Sequence, residues 1–233
     1  MWIVIPIVLL LIGGVLLLSG VPPAQLPSLQ GALGNILVGA ALTLTATSVV
    51  EQWKRNRLKK DLAVAIYHEL ATRVARCCVD FDKPWSEYWK NPVPLSRFTV
   101  RKFRPEPGTI FDANADKLAL FETNQAAALI EFYFRLGVVR RDIDNLSDEP
   151  TESSGLGSKA IQMIASRFAA SLDPGLKALN ALATLVPDHA SIETAALEAI
   201  AKLSSTRDVT GTLRQRLAAA IKKADEFRRK IEK

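Results

Sequence analysis

Residues 2–18 form an almost purely aliphatic run, interrupted by Pro6, Gly13 and Gly14, and residues 33–50 form a second run without a charged side chain. Each falls at the low end of the roughly 17 to 25 residues a helix needs to cross a bilayer. Between them Pro22, Pro23 and Pro27 prevent one helix from running through. The pattern predicts a transmembrane hairpin over residues 1–50, with spans at about 2–20 and 31–50. Past residue 53 the periodicity changes. Leu58, Leu62, Ile66, Leu70, Val74, Cys77 and Phe81 recur every three or four positions, the spacing of a helix with one apolar stripe. This predicts a juxtamembrane stalk helix over 51–82, running on from the second span.

Residues 83–108 carry Pro84, Pro92, Pro94, Pro105 and Pro107 among Trp85, Tyr88 and Trp89, and read as an irregular Pro- and aromatic-rich connector. Within it, Arg97 to Arg104 alternates basic and apolar residues and reads as an extended piece or loop. Helical spacing returns over 109–233. Thr109 is placed to cap a short helix ending near Phe121. A second helix, from Thr123 or Asn124 to about Leu146, is apolar nearly all round, which predicts a buried centre with Ile130, Tyr133 and Phe134 inside. After a polar Gly/Ser loop at 147–157 come four helical segments, broken at Asp173-Pro174, at Pro187 and before Val209. The fold class expected is all-α, an N-terminal two-helix transmembrane hairpin followed by a cytoplasmic helical-bundle domain.

Charge orients this arrangement. The first 50 residues hold no Lys, Arg, Asp or Glu, although the chain of 233 has 30 basic and 24 acidic residues and a net charge of +6. A wholly soluble protein, a secreted disulfide scaffold and a large multi-span transporter are thereby excluded from the expectations. Trp53, Lys54, Arg55, Arg57, Lys59 and Lys60 follow the second run and face an uncharged turn, so the positive-inside rule puts both termini in the cytoplasm. The same residues suit a membrane interface with anionic head groups. No basic residue precedes the first run, which argues against a cleaved signal peptide. Asn35, Gly39, Thr43 and Thr47 recur every four residues as a small, polar stripe, suited to packing on the first span or to a homo-oligomer contact.

Candidate chemistry is sparse. His68 and His189 are far apart in the chain, and Cys77 and Cys78 are adjacent, unlike the spaced pairs that bind zinc. Gly155-Leu156-Gly157 lacks the strand–loop–helix setting of a phosphate loop. No catalytic residue, metal ligand or cofactor is expected. Arg97, Arg101, Lys102 and Arg104, interleaved with Phe98 and Phe103, suit a membrane-proximal position better than nucleic acid, which calls for denser basic clustering on a recognisable fold.

One local pattern adds to this. Ile110-Phe111-Asp112-Ala113-Asn114-Ala115-Asp116-Lys117-Leu118-Ala119-Leu120-Phe121, followed by Ala128-Leu129-Ile130-Glu131-Phe132-Tyr133, resembles a stretch of uncharacterised bacterial membrane-anchored helical proteins. There an aromatic-x-x-Asn-x-x-x-(Ile/Leu)-Gly-Leu-Leu helix precedes a helix with an apolar-x-x-Phe-Tyr element; here Ala119 stands at the usual glycine. The resemblance implies a bacterial, helical, membrane-tethered protein and supplies no catalytic residues. Asn114 and Tyr133 would form a structural junction, Asn114 capping or cross-linking the helices and Tyr133 hydrogen-bonding it. The expected function is that of a bacterial inner-membrane-anchored protein whose cytoplasmic helical domain is a non-catalytic scaffold, sensor or assembly partner for another protein. The alternative is a membrane-perturbing effector whose two-span hairpin the cytoplasmic domain controls.

Overall fold

The computed structural model describes residues 26–91, 93–148, 157–203 and 211–231. They are helical, with no β-strand among them: α1 (Leu26–Asp80), a π-helical turn (Phe81–Trp85), α2 (Ser86–Lys90), α3 (Arg97–Arg101), α4 (Thr109–Ala113), a 3-10 turn (Ala115–Leu120), α5 (Thr123–Asp148), α6 (Ser158–Ala183), α7 (His189–Leu203) and α8 (Leu213–Ile231). The chain divides into two units, Met1–Leu58 and Lys59–Lys233.

In the first unit, the described part is the opening of α1. Ile36, Val38, Leu42, Leu44, Val49 and Val50 are all exposed, and they point to every side of the helix. The threonine hydroxyls turn inward to their own backbone: Thr43 donates to the Gly39 carbonyl at 2.8 Å, Thr45 to Ala41 at 2.7 Å and Thr47 to Thr43 at 2.8 Å. Among the described residues, no helix is long and apolar enough to cross a membrane. The expected first span and the proline turn up to Gln25 lie outside the described residues, and for the second span side chains are described only at Ile36 and from Val38 on. That apolar stretch, ending at Val50, is shorter than the roughly 17 residues a crossing needs.

In the second unit, residues 62–79 of the expected juxtamembrane stalk helix supply much of the core. Leu62, Ile66, Leu70 and Val74 are buried, and so are Ala63, Ala71 and Ala75 beside them. Those alanines explain the difference: they widen a narrow apolar stripe into a face on which other helices can pack closely. The boundary between the two units falls at Leu58/Lys59.

The connector over 83–108 is likewise part of the core. Trp85 is fully buried, stacks on Phe168 at 5.3 Å between ring centroids and meets Phe103 edge-on at 5.2 Å; Trp89 meets Phe227 at 5.4 Å. The stretch read as extended at Arg97 to Arg104 begins as helix α3. Its cap is Ser96, whose hydroxyl accepts from the Thr99 amide at 3.2 Å, a Ser-x-x-Thr signature inside a segment read for its basic alternation.

Helix α5 buries one side only. Leu129, Phe132, Leu136, Val139 and Ile143 are inside, whereas Ile130 is 51% and Phe134 65% exposed, contrary to expectation. Its main partner is α6. That helix runs through Asp173-Pro174 without the predicted break. A mid-helix proline costs about 3 kcal/mol, but here Pro174 and Gly175 are buried at a three-helix crossing. A Cβ on Gly175 would lie 3.0 Å from Val74 of α1 and 3.1 Å from Phe132 of α5, so close approach of the helices depends on this glycine and offsets the lost hydrogen bond.

Candidate functional site

Two buried polar clusters organise the second unit. The first centres on Glu69 of α1, which is 9% exposed. Its Oε2 accepts from the Ile110 amide at 2.6 Å and from the Thr109 hydroxyl at 3.1 Å. Glu69 therefore caps α4 from another helix; Thr109 is the first residue of that helix and Gly108 its N-cap, without a side-chain cap of its own. Glu69 Oε1 accepts from the Tyr133 hydroxyl at 2.7 Å, and Arg73 lies 3.5 Å away. Arg73 also donates to the carbonyls of Glu106, at 2.7 Å, and Pro107, tying down the loop before α4. Tyr133 stacks on Phe111 with centroids 4.0 Å apart, and a Cβ on Gly108 would come within 2.7 Å of its ring. Burial and the hydrogen bond to Glu69 hold the Tyr133 hydroxyl far above its usual pKa, so it is a donor at any ordinary pH.

Asn114 and Tyr133 are not partners. Asn114 Nδ2 donates back to the Ile110 carbonyl at 2.9 Å, and its Oδ1 accepts from Lys117 at 2.8 Å. Asn114 ends α4, and Tyr133 belongs to Glu69.

The second cluster joins Tyr67, Glu193 and Arg214. The Tyr67 hydroxyl donates to Glu193 Oε1, and Arg214 grips both carboxylate oxygens, at 2.8 Å and 3.1 Å, with a further donation to Asn180. Tyr67 is fully buried and Glu193 4% exposed; desolvation and the neighbouring carboxylate push the phenol well above its usual pKa. The arrangement locks α1, α6, α7 and α8 together.

Beside the first cluster opens a cleft of about 540 Å³, with His68, Thr72, Arg76 and Lys102 at its polar edge and Phe103, Leu136 and Phe168 among its apolar walls. Two of its arginines are held by carboxylates: Arg76 pairs with Asp80 at 2.8 Å, and Arg104 forks onto Asp144 at 2.5 Å and 2.7 Å. Cys77 lines the same cleft, but burial pushes its thiol up to about 12, which withholds the thiolate a nucleophile requires. Cys78 is held at about 12 for the same reason. Among the described residues, no group of three His, Cys, Asp or Glu side chains stands where it could hold a metal. The cleft offers hydrogen bonds and apolar contact.

The interface residues read from the sequence straddle the unit boundary. Trp53, Lys54, Arg55 and Arg57 close the first unit, all exposed, with the Arg57 guanidinium 5.6 Å from the Trp53 ring centroid. Lys59, half-buried, and exposed Lys60 open the second. Gly39, Thr43 and Thr47 are exposed on α1; the side chain of Asn35 lies outside the described residues. Sequence reasoning missed Glu69, Arg73, Tyr67, Glu193 and Arg214. One signal was present: Glu69 and Arg73 stand four apart beside the apolar stripe of α1, the spacing of an ion pair on one helix face. No protein-family model, curated protein or solved structure matches the chain.

Proposed function

We propose that the chain is a bacterial inner-membrane protein, anchored by the hairpin at residues 1–50, whose second unit is a cytoplasmic helical interaction domain acting as a scaffold, sensor or assembly partner without catalysis. The observation carrying this reading is the opening of α1. A helix that exposes Ile36, Val38, Leu42, Leu44, Val49 and Val50 on every side is a poor fit to water, where such side chains seek cover. It suits lipid, which also favours hydroxyls bonded to their own helix over hydroxyls left unsatisfied. Exposed Lys54, Arg55 and Arg57 then sit where anionic head groups add about 1 kcal/mol each. In the second unit the two buried polar clusters around Glu69 and Glu193 hold helices together, which favours a binding module over an enzyme.

The full-length chain should remain in the membrane pellet after an alkaline wash. Replacing Leu42 and Leu44 together by Lys should release it, and reporter fusions at Lys60 and Lys233 should both read cytoplasmic. Recovery of the unaltered chain in the soluble fraction would overturn the anchor. Depolarisation on expressing residues 1–60 alone would replace the scaffold by the membrane-perturbing reading.

A further inference from the structure

The cleft beside Glu69 has walls that the fold itself fixes. Arg73 holds the carbonyls of Glu106 and Pro107, and Glu69 caps α4 through the Ile110 amide, so two residues of α1 secure the loop that lines the cleft. His68, Thr72 and Arg76 stand four apart on α1 and border the cleft as one polar row. Lys102 meets that row, its carbonyl 3.3 Å from Arg76 Nη2. Leu136 and Phe168, 4% and 1% exposed, and half-buried Phe103 supply an apolar side. The volume of about 540 Å³ falls within the roughly 300 to 1,000 Å³ of small-molecule sites.

The polar groups left over here are mostly donors. Glu69 gives its carboxylate oxygens to Ile110, Thr109 and Tyr133, and Asp80, 5% exposed, is held by Arg76. Exposed Glu106 is the third carboxylate at the cleft, against Arg73, Arg76, Lys102 and Arg104. Among the described residues, Arg76 Nη1 makes no hydrogen bond, and the Lys102 ammonium meets the Phe98 ring, 4.7 Å away, rather than a carboxylate.

We propose that the cleft binds a small amphipathic anion, a carboxylate or phosphate head on a compact apolar body. The head meets Arg76 and Lys102, and the body lies on Phe103, Leu136 and Phe168. An anion takes up donors that the buried carboxylates leave over, and an apolar body displaces water from walls that gain nothing by holding it. The sensor reading of the second unit underlies this assignment and gains from it a class of signal.

Equilibrium dialysis of the full chain, in phosphatidylcholine nanodiscs, against 2-naphthoate should show one saturable site above empty nanodiscs. Neutral 2-naphthamide should bind roughly tenfold more weakly or worse, the size of a lost charge-assisted hydrogen bond. Lys102→Glu should weaken naphthoate by a similar factor, whereas Lys90→Glu, exposed on α2 and outside the cleft, should leave it unchanged. Thr72→Trp should block the site at an unchanged melting temperature, because the Thr72 hydroxyl bonds only its own helix, at the His68 carbonyl. Tighter binding of 2-naphthyl phosphate than of naphthoate would identify the head as phosphate, and the reverse order as carboxylate. No saturable site, equal binding of the amide, or equal effects of Lys102→Glu and Lys90→Glu would overturn the proposal. A chain that stays in the membrane pellet yet ignores both naphthyl anions would remove the cleft ligand and leave the anchor standing.

Discussion

Glu193 shows how much one buried carboxylate can hold. It accepts from Tyr67 and Arg214, so shortening it strands a phenol in the core and half-strands a guanidinium that still reaches water. Glu193→Ala should cost about 2 to 4 kcal/mol in a denaturation curve. Glu193→Gln, which keeps an acceptor for Tyr67, should cost less. Asp80 and Asp144 offer a test of sign. Burial raises the Asp80 carboxyl above its ordinary 3.8 against the pull of Arg76, so the folded chain binds the proton more tightly. Its contribution to stability therefore falls as pH rises from about 3.8 through the folded value. The Arg104 fork lowers Asp144, whose contribution is present above 3.8 and is lost as pH falls through the folded value. Melting profiles from about pH 3 to 7 should thus change in opposite directions for Asp80→Asn and Asp144→Asn. The Asp144 effect should be a few tenths of a kcal/mol, because that pair is open to solvent.

At the scale of the element, α5 makes two neighbouring phenylalanines unequal. Phe132 is 1% exposed and Phe134 65%. Phe132→Ala should cost about 3 to 5 kcal/mol, and Phe134→Ala less than about 0.5 kcal/mol; paired melting curves would show the gap. Periodicity could not distinguish the two, because α5 is apolar on its core side and also at exposed Ile130 and Phe134. Helix positions were legible wherever apolar spacing was unbroken, as in α1, α5 and α8. They were lost where tertiary packing overrode a local signal. Pro174 reads as a helix start, yet α6 passes through it because Gly175 seats against Val74 and Phe132. The polar clusters were less legible still. Glu69 and Tyr133 are 64 positions apart, and Tyr67 and Arg214 are 147 apart; no local pattern pairs them.

At the scale of the whole molecule, the hydrophobic core among the described residues lies beyond Lys59. A fragment of residues 59–233 should therefore melt cooperatively in water, and its two thiols supply the readout. With pKa values near 12, Cys77 and Cys78 at pH 8 hold on the order of one thiolate per ten thousand, so a disulfide reagent should react with them only as the fragment unfolds. Rapid reaction without denaturant would mean that the core needs the first unit. The burial of α1 from Leu62 to Val79 also bears on how the chain is made. This stretch leaves the ribosome before any of its main partners exist. At roughly 5 to 20 residues per second, α5 follows seconds later, and α8, which brings Arg214, takes about 7 to 30 s. For that interval a nascent apolar surface waits, beside a membrane if the anchor has already inserted, for the helices that will close over it. Translation speed between Asp80 and Leu213, rather than the stability of the finished domain, then becomes the quantity on which yield depends.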